Sequence, residues 1–283
     1  MVRKPAVAGQ FYDGSRAGLT AQIKKSFLSD LGPGYLPGGA RGGGKAVKGA
    51  IVPHAGYMFS GPAAAHVYAR IAGSDIGTFI ILGTNHTGMG MTSAMLEDFE
   101  TPLGIAKNDT GLAGALIKNC GIREDNQVHL YEHSIEVQLP FLQFTFKDFQ
   151  FVPIVIASPA RIREIGTGIL KTIRESKKKV CILASSDFTH YGASYGYAPF
   201  AGNLKENIER LDREAMSYIQ DRKPDEFFRF VQETGATICG FLPIYVMLAA
   251  IPEYKATLLK YYTSADILGD YSQSVSYAAI VLE

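Results

Sequence analysis

Residues 47–82 read VKGAIVPHAGYMFSGPAAAHVYARIAGSDIGTFIIL, and this stretch contains the pattern that decides the fold. Residues 47–52 and 78–82 are short β-rich runs that end at Pro or Gly, and the Ala-rich residues 61–72 between them have helical spacing. Strands that alternate with helices of this length form βαβ units, whose right-handed crossovers place helices on both faces of a sheet. We therefore predict an α/β fold with a mostly parallel or mixed central sheet and helices on both faces.

The same alternation continues along the rest of the chain. Two further strands are expected over residues 151–157 and 180–184, with a crossover helix over 161–176 between them. The other expected elements are a hairpin over 93–106, an amphipathic helix over 203–220, a helix that opens at Pro224, and closing strands over 256–263 and 274–282. Neither an internal repeat nor a linker divides the sequence, so we predict a single domain over residues 1–283.

Composition and charge exclude several classes of protein. The 283 residues carry 28 Lys and Arg against 27 Asp and Glu, which gives a formal net charge of +1. This balance lacks the basic surface expected of a nucleic-acid groove or of a protein bound to an anionic membrane. The longest apolar run, residues 242–251, falls short of the ~20 residues that a membrane span needs. With only three cysteines, the composition indicates a globular cytoplasmic protein without a disulfide scaffold.

The glycine-rich residues 32–45 contain Gly39-Ala-Arg-Gly-Gly-Gly-Lys45, a partial match to a phosphate-binding loop. Position 46 is Ala, so the hydroxyl that would hold Mg²⁺ is missing. The glycines also precede a predicted strand, whereas a phosphate-binding loop follows one. We therefore predict a surface loop here and not a nucleotide site.

Three of the six histidines follow predicted parallel strands, at the strand ends where α/β sheets bind ligands. Because the three strand ends meet at one edge of the sheet, we predict that these histidines share a site. They are His54 in Pro53-His-Ala-Gly-Tyr57, His86 in Gly83-Thr-Asn-His86, and His190 in Ser185-Ser-Asp-Phe-Thr-His-Tyr-Gly192. By contrast, we expect His66 to pack within a helix and His129 to lie on a loop surface.

The residue types at this edge are those of a metal site. Neutral imidazole is a common ligand of divalent transition metals, so His54 and His86 are candidate ligands. The third ligand could be Asp187 or Cys239. A carboxylate would complete the two-His, one-carboxylate face of non-haem Fe(II), whereas a thiolate would favour Zn, Cu(I) or a softer iron site.

Cys239 precedes a predicted helix, and a helix N-terminus lowers the pKa of a thiol and favours the thiolate. The alternative is that Cys239 is a small buried hydrophobe, which is what we expect of Cys120 and Cys181. Asp187 and His190 lie three residues apart in one loop, where they could be a base and the group that orients it, or a ligand and its hydrogen-bond partner. Alternatively, Asp187 caps the loop through its side chain and His190 is simply exposed.

Residues 132–136, Glu-His-Ser-Ile-Glu, precede an apolar helix expected to end near residue 146. Ser134 is the predicted N-cap, and Glu136 lies in the first turn, where the helix dipole favours a carboxylate. His133 has no such structural explanation and is a candidate pocket residue. We group His133 with Glu132 and Tyr57 as candidate substrate-binding residues.

Together these motifs resemble the Memo (mediator of cell motility) family, in the same order from about residue 5 to residue 282. The matching segments are Val-Ala-Gly-Gln-Phe-Tyr at 7–12, Pro-His-Ala-Gly-Tyr at 53–57, Gly-Thr-Asn-His at 83–86, Glu-His-Ser-Ile-Glu at 132–136, Ser-Ser-Asp-Phe-Thr-His at 185–190, Thr-Ile-Cys-Gly at 237–240 and Ser-Val-Ser-Tyr-Ala-Ala at 274–279. The resemblance implies a fold shared with class III extradiol dioxygenases, which open catechol rings with non-haem Fe(II).

The resemblance also implies roles for individual residues. His54 and His86 match the two metal-ligand histidines, and His190 matches the position of the catalytic base. From the residues themselves, we expect Asp187 to support the metal ligands, and we count it with His190 as a candidate catalytic residue. Cys239 stands where the dioxygenases use a glutamate, as it does in the Memo pattern. Because a thiolate changes the charge, potential and metal preference of the site, ring cleavage does not follow from the fold alone.

The functions that the resemblance implies belong to different classes. Animal members of the family are described as receptor-signalling adaptors and as copper or iron binders. Microbial members are associated with a radical-SAM protein and a third partner family, which suggests RNA or small-molecule modification. We expect a metal-dependent redox enzyme that uses Fe(II), with copper or zinc as alternatives, and acts on an aromatic or phenolic substrate.

Two other functions would use the same pocket. A non-catalytic protein could handle a metal or bind a peptide there as a scaffold. A zinc-type hydrolase would need only two histidines, a cysteine and an open position for water.

Overall fold

The computed structural model describes residues 2–38 and 46–283, so the partial phosphate-loop match at 39–45 lies outside the described residues. The strands are β1 (Val2–Arg3), β2 (Gly49–Val52), β3 (Thr78–Thr84), β4 (Ser93–Ala94), β5 (Asp98–Thr101), β6 (Gly104–Asn108), β7 (Arg123–Glu124), β8 (Gln150–Ile156), β9 (Val180–Ser185), β10 (His190–Tyr191), β11 (Ala256–Thr263) and β12 (Ser274–Leu282). The helices are α1 (Arg16–Leu28), α2 (Tyr57–Ile71), α3 (Thr110–Cys120), α4 (Asn126–Leu130), α5 (His133–Glu136), α6 (Leu139–Thr145), α7 (Ile162–Ser176), α8 (Leu204–Gln220), α9 (Pro224–Thr234), α10 (Phe241–Ala250) and α11 (Ala265–Leu268).

The strands form one mixed sheet, which confirms the predicted α/β class. The strand order is β1-β5-β6-β8-β3-β9-β2-β12-β10, with β11 paired to β12 and β4 paired to β7 and β8. The central strands β6, β8, β3, β9 and β2 run parallel. Strand β12 runs antiparallel to its neighbours β2, β10 and β11. The carboxyl ends of β2, β3 and β9 therefore lie side by side at one edge.

Helices cover both faces of this sheet because β3, β8 and β9 carry apolar side chains on both of their faces. In β3, Ile80 and Leu82 face a core formed with α3, α7 and α10, whereas Phe79 and Ile81 face a core formed with α1, α2 and α6. A parallel strand that is buried on both faces requires a continuous apolar run, and this is the pattern that the sequence shows. Cys181 lies within β9 on the second face and is fully buried, as predicted.

Most predicted elements lie close to their expected places. Helix α9 begins at Pro224, and β11 and β12 span the predicted closing strands. The predicted hairpin is narrower than expected, because β5 and β6 form it while residues 93–94 pair with β8 instead. The apolar helix expected after residue 132 is divided into α5 and α6. None of the helices in the described ranges is long and apolar enough to cross a membrane.

Candidate metal centre

Three donor side chains converge at the carboxyl edge of the sheet. His54 follows β2, His86 follows β3, and Cys239 precedes α10. The distance between Nε2 of His54 and Sγ of Cys239 is 3.1 Å, and the ring centroids of His54 and His86 are 5.0 Å apart. One ligand atom from each of the three residues lies within 4.8 Å of the other two. The loops that the sequence analysis singled out therefore do meet.

Hydrogen bonds around His54 determine which of its ring nitrogens carries the proton. The Ser185 hydroxyl donates to the carbonyl oxygen of Ser134 at 2.6 Å. Ser185 Oγ therefore accepts from its other two neighbours, Nε2 of Gln138 at 2.8 Å and Nδ1 of His54 at 3.0 Å. With the proton of His54 on Nδ1, Nε2 presents a lone pair to the cluster, which is the form that binds a metal.

Glu132 is the hydrogen-bond partner of Nδ1 of His86, as Ser185 is of Nδ1 of His54. Its carboxylate lies 2.9 Å from Nδ1 of His86 and accepts from the backbone N–H groups of His86 and Ser134 at 2.7 and 2.8 Å. Burial alone would raise the pKa of Glu132, but the bonds with His86, the nearby His133 and the Ser134 N–H lower it to about 2. The carboxylate is thus ionised and accepts from Nδ1 of His86, so that in the neutral ring Nε2 is the nitrogen free to bind a metal.

This arrangement corrects the predicted start of the helix. Glu132, and not Ser134, is the N-cap of α5, and Ser134 lies inside that helix. The Glu132 carboxylate, proposed from the sequence for substrate binding, is occupied by His86 and the helix end. Carboxylates that bond to a ligand histidine in this way orient the ring and strengthen metal binding.

Asp187 connects the loop of His54 to Cys239. Its carboxylate accepts from the backbone N–H of His54 at 2.8 Å, and its own backbone N–H donates to Sγ of Cys239 at 3.3 Å. Burial raises the pKa of Asp187, although the nearby His190 and the backbone N–H groups of His54 and Ala55 oppose the shift. Asp187 therefore fixes the positions of His54 and Cys239 relative to each other through these two hydrogen bonds.

The predicted low pKa of the Cys239 thiol is wrong for the protein without metal. Helix α10 begins at Phe241, with Gly240 as its N-cap, so Cys239 lies one residue outside the cap. Burial raises the pKa of the thiol well above its usual value, and the negative charge of Asp187 adds to the effect. Because a metal binds the thiolate, metal binding at Cys239 would release a proton.

His190 is held with its second ring nitrogen free to act as a base. Nδ1 lies 3.0 Å from the carbonyl oxygens of both Phe188 and Thr237. Since carbonyl oxygens only accept, Nδ1 is the donor, and in the neutral ring Nε2 is the nitrogen with the lone pair. The Thr237 hydroxyl also bonds to both backbone groups of His190. His190 is thus fixed on the rim of the pocket, with its ring against Tyr195 at 5.2 Å.

The pocket in front of these residues is a cavity of about 550 Å³. Its walls include His86, His190, Tyr195, Ile238, Cys239 and Phe241. Polar donors and apolar side chains therefore both line the cavity, a composition suited to a small ligand with an apolar body.

His133 and Tyr57, the other two candidate substrate-binding residues, lie in different places. The His133 ring is 4.5 Å from that of His86 and 5.4 Å from that of His54. Burial, followed by these two neighbouring rings, lowers the pKa of His133 to about 3, so the ring is neutral. Tyr57 lies in the core behind the site, where its hydroxyl donates to the carbonyl oxygen of Val137 at 2.6 Å.

The prediction that His129 lies on a loop surface is wrong. It is fully buried in α4, with Nε2 3.2 Å from the carbonyl oxygen of Ser93, and burial lowers its pKa to about 4. His66 packs in α2 as predicted and bonds to the carbonyl oxygen of Leu31. Cys120 is buried in the core, also as predicted.

Sequence reasoning missed the residues that orient the donors. Ser185 and Gln138 fix His54, and the fully buried Asp212 accepts from the backbone N–H and hydroxyl of Thr189, next to His190. A polar residue at a strand end was the available signal for Ser185, which is the last residue of β9. Gln138 and Asp212 lie on other elements and gave no local signal.

The comparisons with known proteins cover nearly the whole chain. A family model described as "Memo-like protein" matches residues 3–281. A MEMO1 family protein of Methanopyrus kandleri is 40% identical and aligns over 99% of both chains. A second, from Methanothermobacter thermautotrophicus, is 38% identical over 98% of this chain and 99% of its own. Among solved structures, an uncharacterized protein from Escherichia coli K12 covers 72% of this chain and 85% of its own at 13% identity, with a TM-score of 0.46.

Proposed function

The chain belongs to the Memo-like protein family, and we propose that it is a metal-binding protein that acts as a metal-dependent redox enzyme. One observation carries the proposal: a ligand atom of His54, one of His86 and one of Cys239 lie within 4.8 Å of one another. Both histidines have an acceptor at Nδ1, so that in the neutral rings the Nε2 atoms are available as ligands. Two imidazoles and a thiolate suit Fe(II), and they also suit copper and zinc.

A redox-active metal held there would supply Lewis acidity and electron transfer. The chain supplies the rest of the chemistry. Nε2 of His190 would accept the proton of a phenolic or similarly acidic hydroxyl in the pocket. The apolar walls at Ile238 and Phe241 would exclude water from that side and hold the body of an aromatic substrate. The proposed kinship with class III extradiol dioxygenases rests on the order of the motifs, with Cys239 in the position of their glutamate.

A second function, non-catalytic metal handling, is favoured by the thiol of Cys239. A sulfur ligand selects soft ions such as Cu(I), and a carboxylate would not. In this case the same donors would bind the ion tightly, and no substrate would turn over. A zinc-type hydrolase is the third option, since His₂Cys leaves one position open for water.

Metal analysis of matched variants tests the ligand set. Wild type, Cys239→Ser and the control Cys181→Ser would be loaded anaerobically with Fe(II), Cu(I) or Zn(II), desalted and measured by elemental analysis. Cys181 is buried mid-strand and away from the donors, so its variant should retain metal. We expect Cys239→Ser to lose most of its metal. Equal metal content in all three proteins would remove Cys239 as a ligand.

Turnover separates the enzyme from the metal-handling protein. Fe(II)-loaded protein would be mixed with O₂ and a panel of catechols and other phenols. For a redox enzyme we expect turnover in wild type, and His190→Ala should abolish it with metal content unchanged. Tight metal binding without turnover across the panel would instead support metal handling.

A further inference from the structure

A buried ion pair joins the beginning of the chain to the helix beside the metal centre. Nη1 of Arg3 lies 2.6 Å from a carboxylate oxygen of Glu136, and both side chains have an exposed fraction of 0%. The guanidinium also donates from Nε to the carbonyl oxygen of His129 at 2.7 Å and from Nη2 to that of Glu132 at 2.8 Å. One face of it packs on the ring of Phe99. Arg3 therefore holds the backbone on both sides of residues 130–131.

Glu136 ties the rest of the N-terminal segment to the same place. Its carboxylate accepts from the backbone N–H groups of Ala6 and Val7 at 2.8 and 3.0 Å and from the Tyr12 hydroxyl at 2.6 Å. Beyond this, the ring of Phe11 packs against that of His133 with their centroids 4.6 Å apart. Residues 2–12 thus form the wall behind the segment that carries Glu132 and His133.

Glu132 is the link between this wall and the ligand His86. The carbonyl oxygen of Glu132 accepts from Arg3, while its carboxylate bonds to the ring and the backbone of His86. Helix α5, which Glu132 caps, has only four residues and is too short to be rigid by itself. The position of the Glu132 carboxylate therefore depends on contacts from outside the helix, and Arg3 supplies a charged one.

We propose that Arg3 is a positioning residue of the metal centre, and that it acts through Glu132 on the orientation of His86. This inference rests on the proposed metal-binding function. A buried ion pair is weak evidence for stability, because apolar residues of similar volume often replace such a pair without loss. The fixed fork of a guanidinium does determine position, since it directs several donors at once.

The test replaces the ion pair with uncharged side chains of similar length. In Arg3→Met/Glu136→Gln no charge is left buried alone, and the amide oxygen in place of the carboxylate can still accept from the donors at Ala6, Val7 and Tyr12. The fold of the variant can be checked by circular dichroism. Arg70→Met is the matched control. Arg70 lies near the end of α2, where it pairs with Glu283 away from the donors. Co(II) affinity by chelator competition and the visible Co(II) spectrum are the measurements.

We expect the folded double variant to bind Co(II) about tenfold to hundredfold more weakly, with altered ligand-field bands, as is typical when a group that orients a ligand is lost. Arg70→Met should match wild type. In a Glu132→Gln background the double substitution should cause little further loss, because both changes act on His86 by the same route. Wild-type affinity and bands in the double variant, or fully additive losses, would overturn the inference.

Nitrogen-15 NMR of the histidine rings tests the same inference without metal. His86 should carry its proton on Nδ1 in wild type and become a mixture of tautomers in the double variant; an unchanged His86 signal would contradict the role of Arg3. If wild type failed to bind Co(II), Fe(II), Cu(I) and Zn(II), the proposed function would fall, and the NMR result would still decide whether Arg3 orients His86.

Discussion

Nε2 of His54 lies 3.1 Å from Sγ of Cys239, although the two residues are 185 positions apart in the chain. The contact is supported on the histidine side by Ser185 and on the cysteine side by the backbone of Asp187. Both supports belong to the end of β9 and the loop that follows it. One strand end therefore sets the spacing of two donors before any ion is bound, which is the arrangement that favours tight and selective binding.

Ser185→Ala should weaken metal binding with a moderate loss of stability. The substitution removes the acceptor that keeps the His54 proton on Nδ1, so Nε2 becomes protonated in part of the population. We expect a loss of about tenfold to hundredfold in Co(II) affinity. Ser26→Ala is the control, since that buried hydroxyl donates to the carbonyl oxygen of Gln22 within α1, away from the donors. Equal affinities for the two variants would show that Ser185 does not set the tautomer.

Gly240→Ala should disturb both the fold and the metal centre. A Cβ at this position would lie 2.4 Å from Cβ of Ser186 and 2.6 Å from the carbonyl oxygen of Ser185. Overpacking of this kind costs about 1–3 kcal/mol, and here it would push Cys239 away from β9. The control is Gly114→Ala in α3, where a Cβ meets nothing within 4 Å and should stabilise the helix by about 0.5–1 kcal/mol. Urea unfolding and metal content measure the two effects, and normal values for Gly240→Ala would contradict the steric argument.

Acid should destabilise the protein partly through His129. Burial lowers the pKa of His129 from 6.5 to about 4 in the folded chain. Between these two pKa values the imidazole is protonated in the unfolded chain and neutral in the folded chain. The stability that His129 contributes above pH 6.5 is therefore lost as the pH falls towards 4. The pKa difference corresponds to about 3 kcal/mol.

The variant His129→Gln isolates this effect, because Gln keeps a donor for the carbonyl oxygen of Ser93 without titrating. Between pH 6.5 and 4, its free energy of unfolding should fall less steeply than that of wild type. Parallel curves for the two proteins, measured by urea unfolding at each pH, would mean that His129 does not contribute to acid lability.

Asp212→Leu should lower stability and move His190 while leaving the metal ligands in place. The fully buried Asp212 carboxylate accepts from the backbone N–H and hydroxyl of Thr189 and from the Tyr261 hydroxyl. Each donor left without a partner costs about 1–3 kcal/mol. We expect reduced turnover with normal metal content.

The control for Asp212→Leu is Asp221→Asn. Asp221 is exposed just beyond α8 and pairs with the exposed Lys223, so this change should alter stability by less than about 0.5 kcal/mol. Loss of metal from Asp212→Leu, measured beside this control, would show that Asp212 supports the ligands and not His190 alone.

Local patterns in the sequence were enough to predict the sheet and the meeting of the histidine loops. The apolar runs of β2, β3 and β9 each end in Pro, Gly or Ser, and parallel strands place such ends at one edge. His54 and His86 could be brought together by that rule alone. Cys239 was harder to place, because it precedes a helix instead of following a strand, and only the family resemblance singled it out as the third ligand.

The predictions that were wrong concern residues whose environment depends on long-range contacts. His129 is buried at a place where Arg3, 126 residues away, donates to its carbonyl oxygen, and no local pattern encodes that contact. Glu132 has two roles that compete with substrate binding, and Ser134 loses the N-cap position to it. The Cys239 pKa depends on how deeply the thiol is buried, which a helix boundary alone does not determine.

The pairing of β12 also has a consequence for biosynthesis. His190 in β10 pairs with Val275, and Ile51 in β2, which leads to His54, pairs with Ile280. Strand β12 comes after His54, His86, His190 and Cys239 in the chain. During translation, the segments that carry these four residues leave the ribosome before the strand that locks two of them in place. The site is therefore completed only once β12 has been made, so that an ion bound there would be acquired after this strand pairs and would not act as a nucleus for folding.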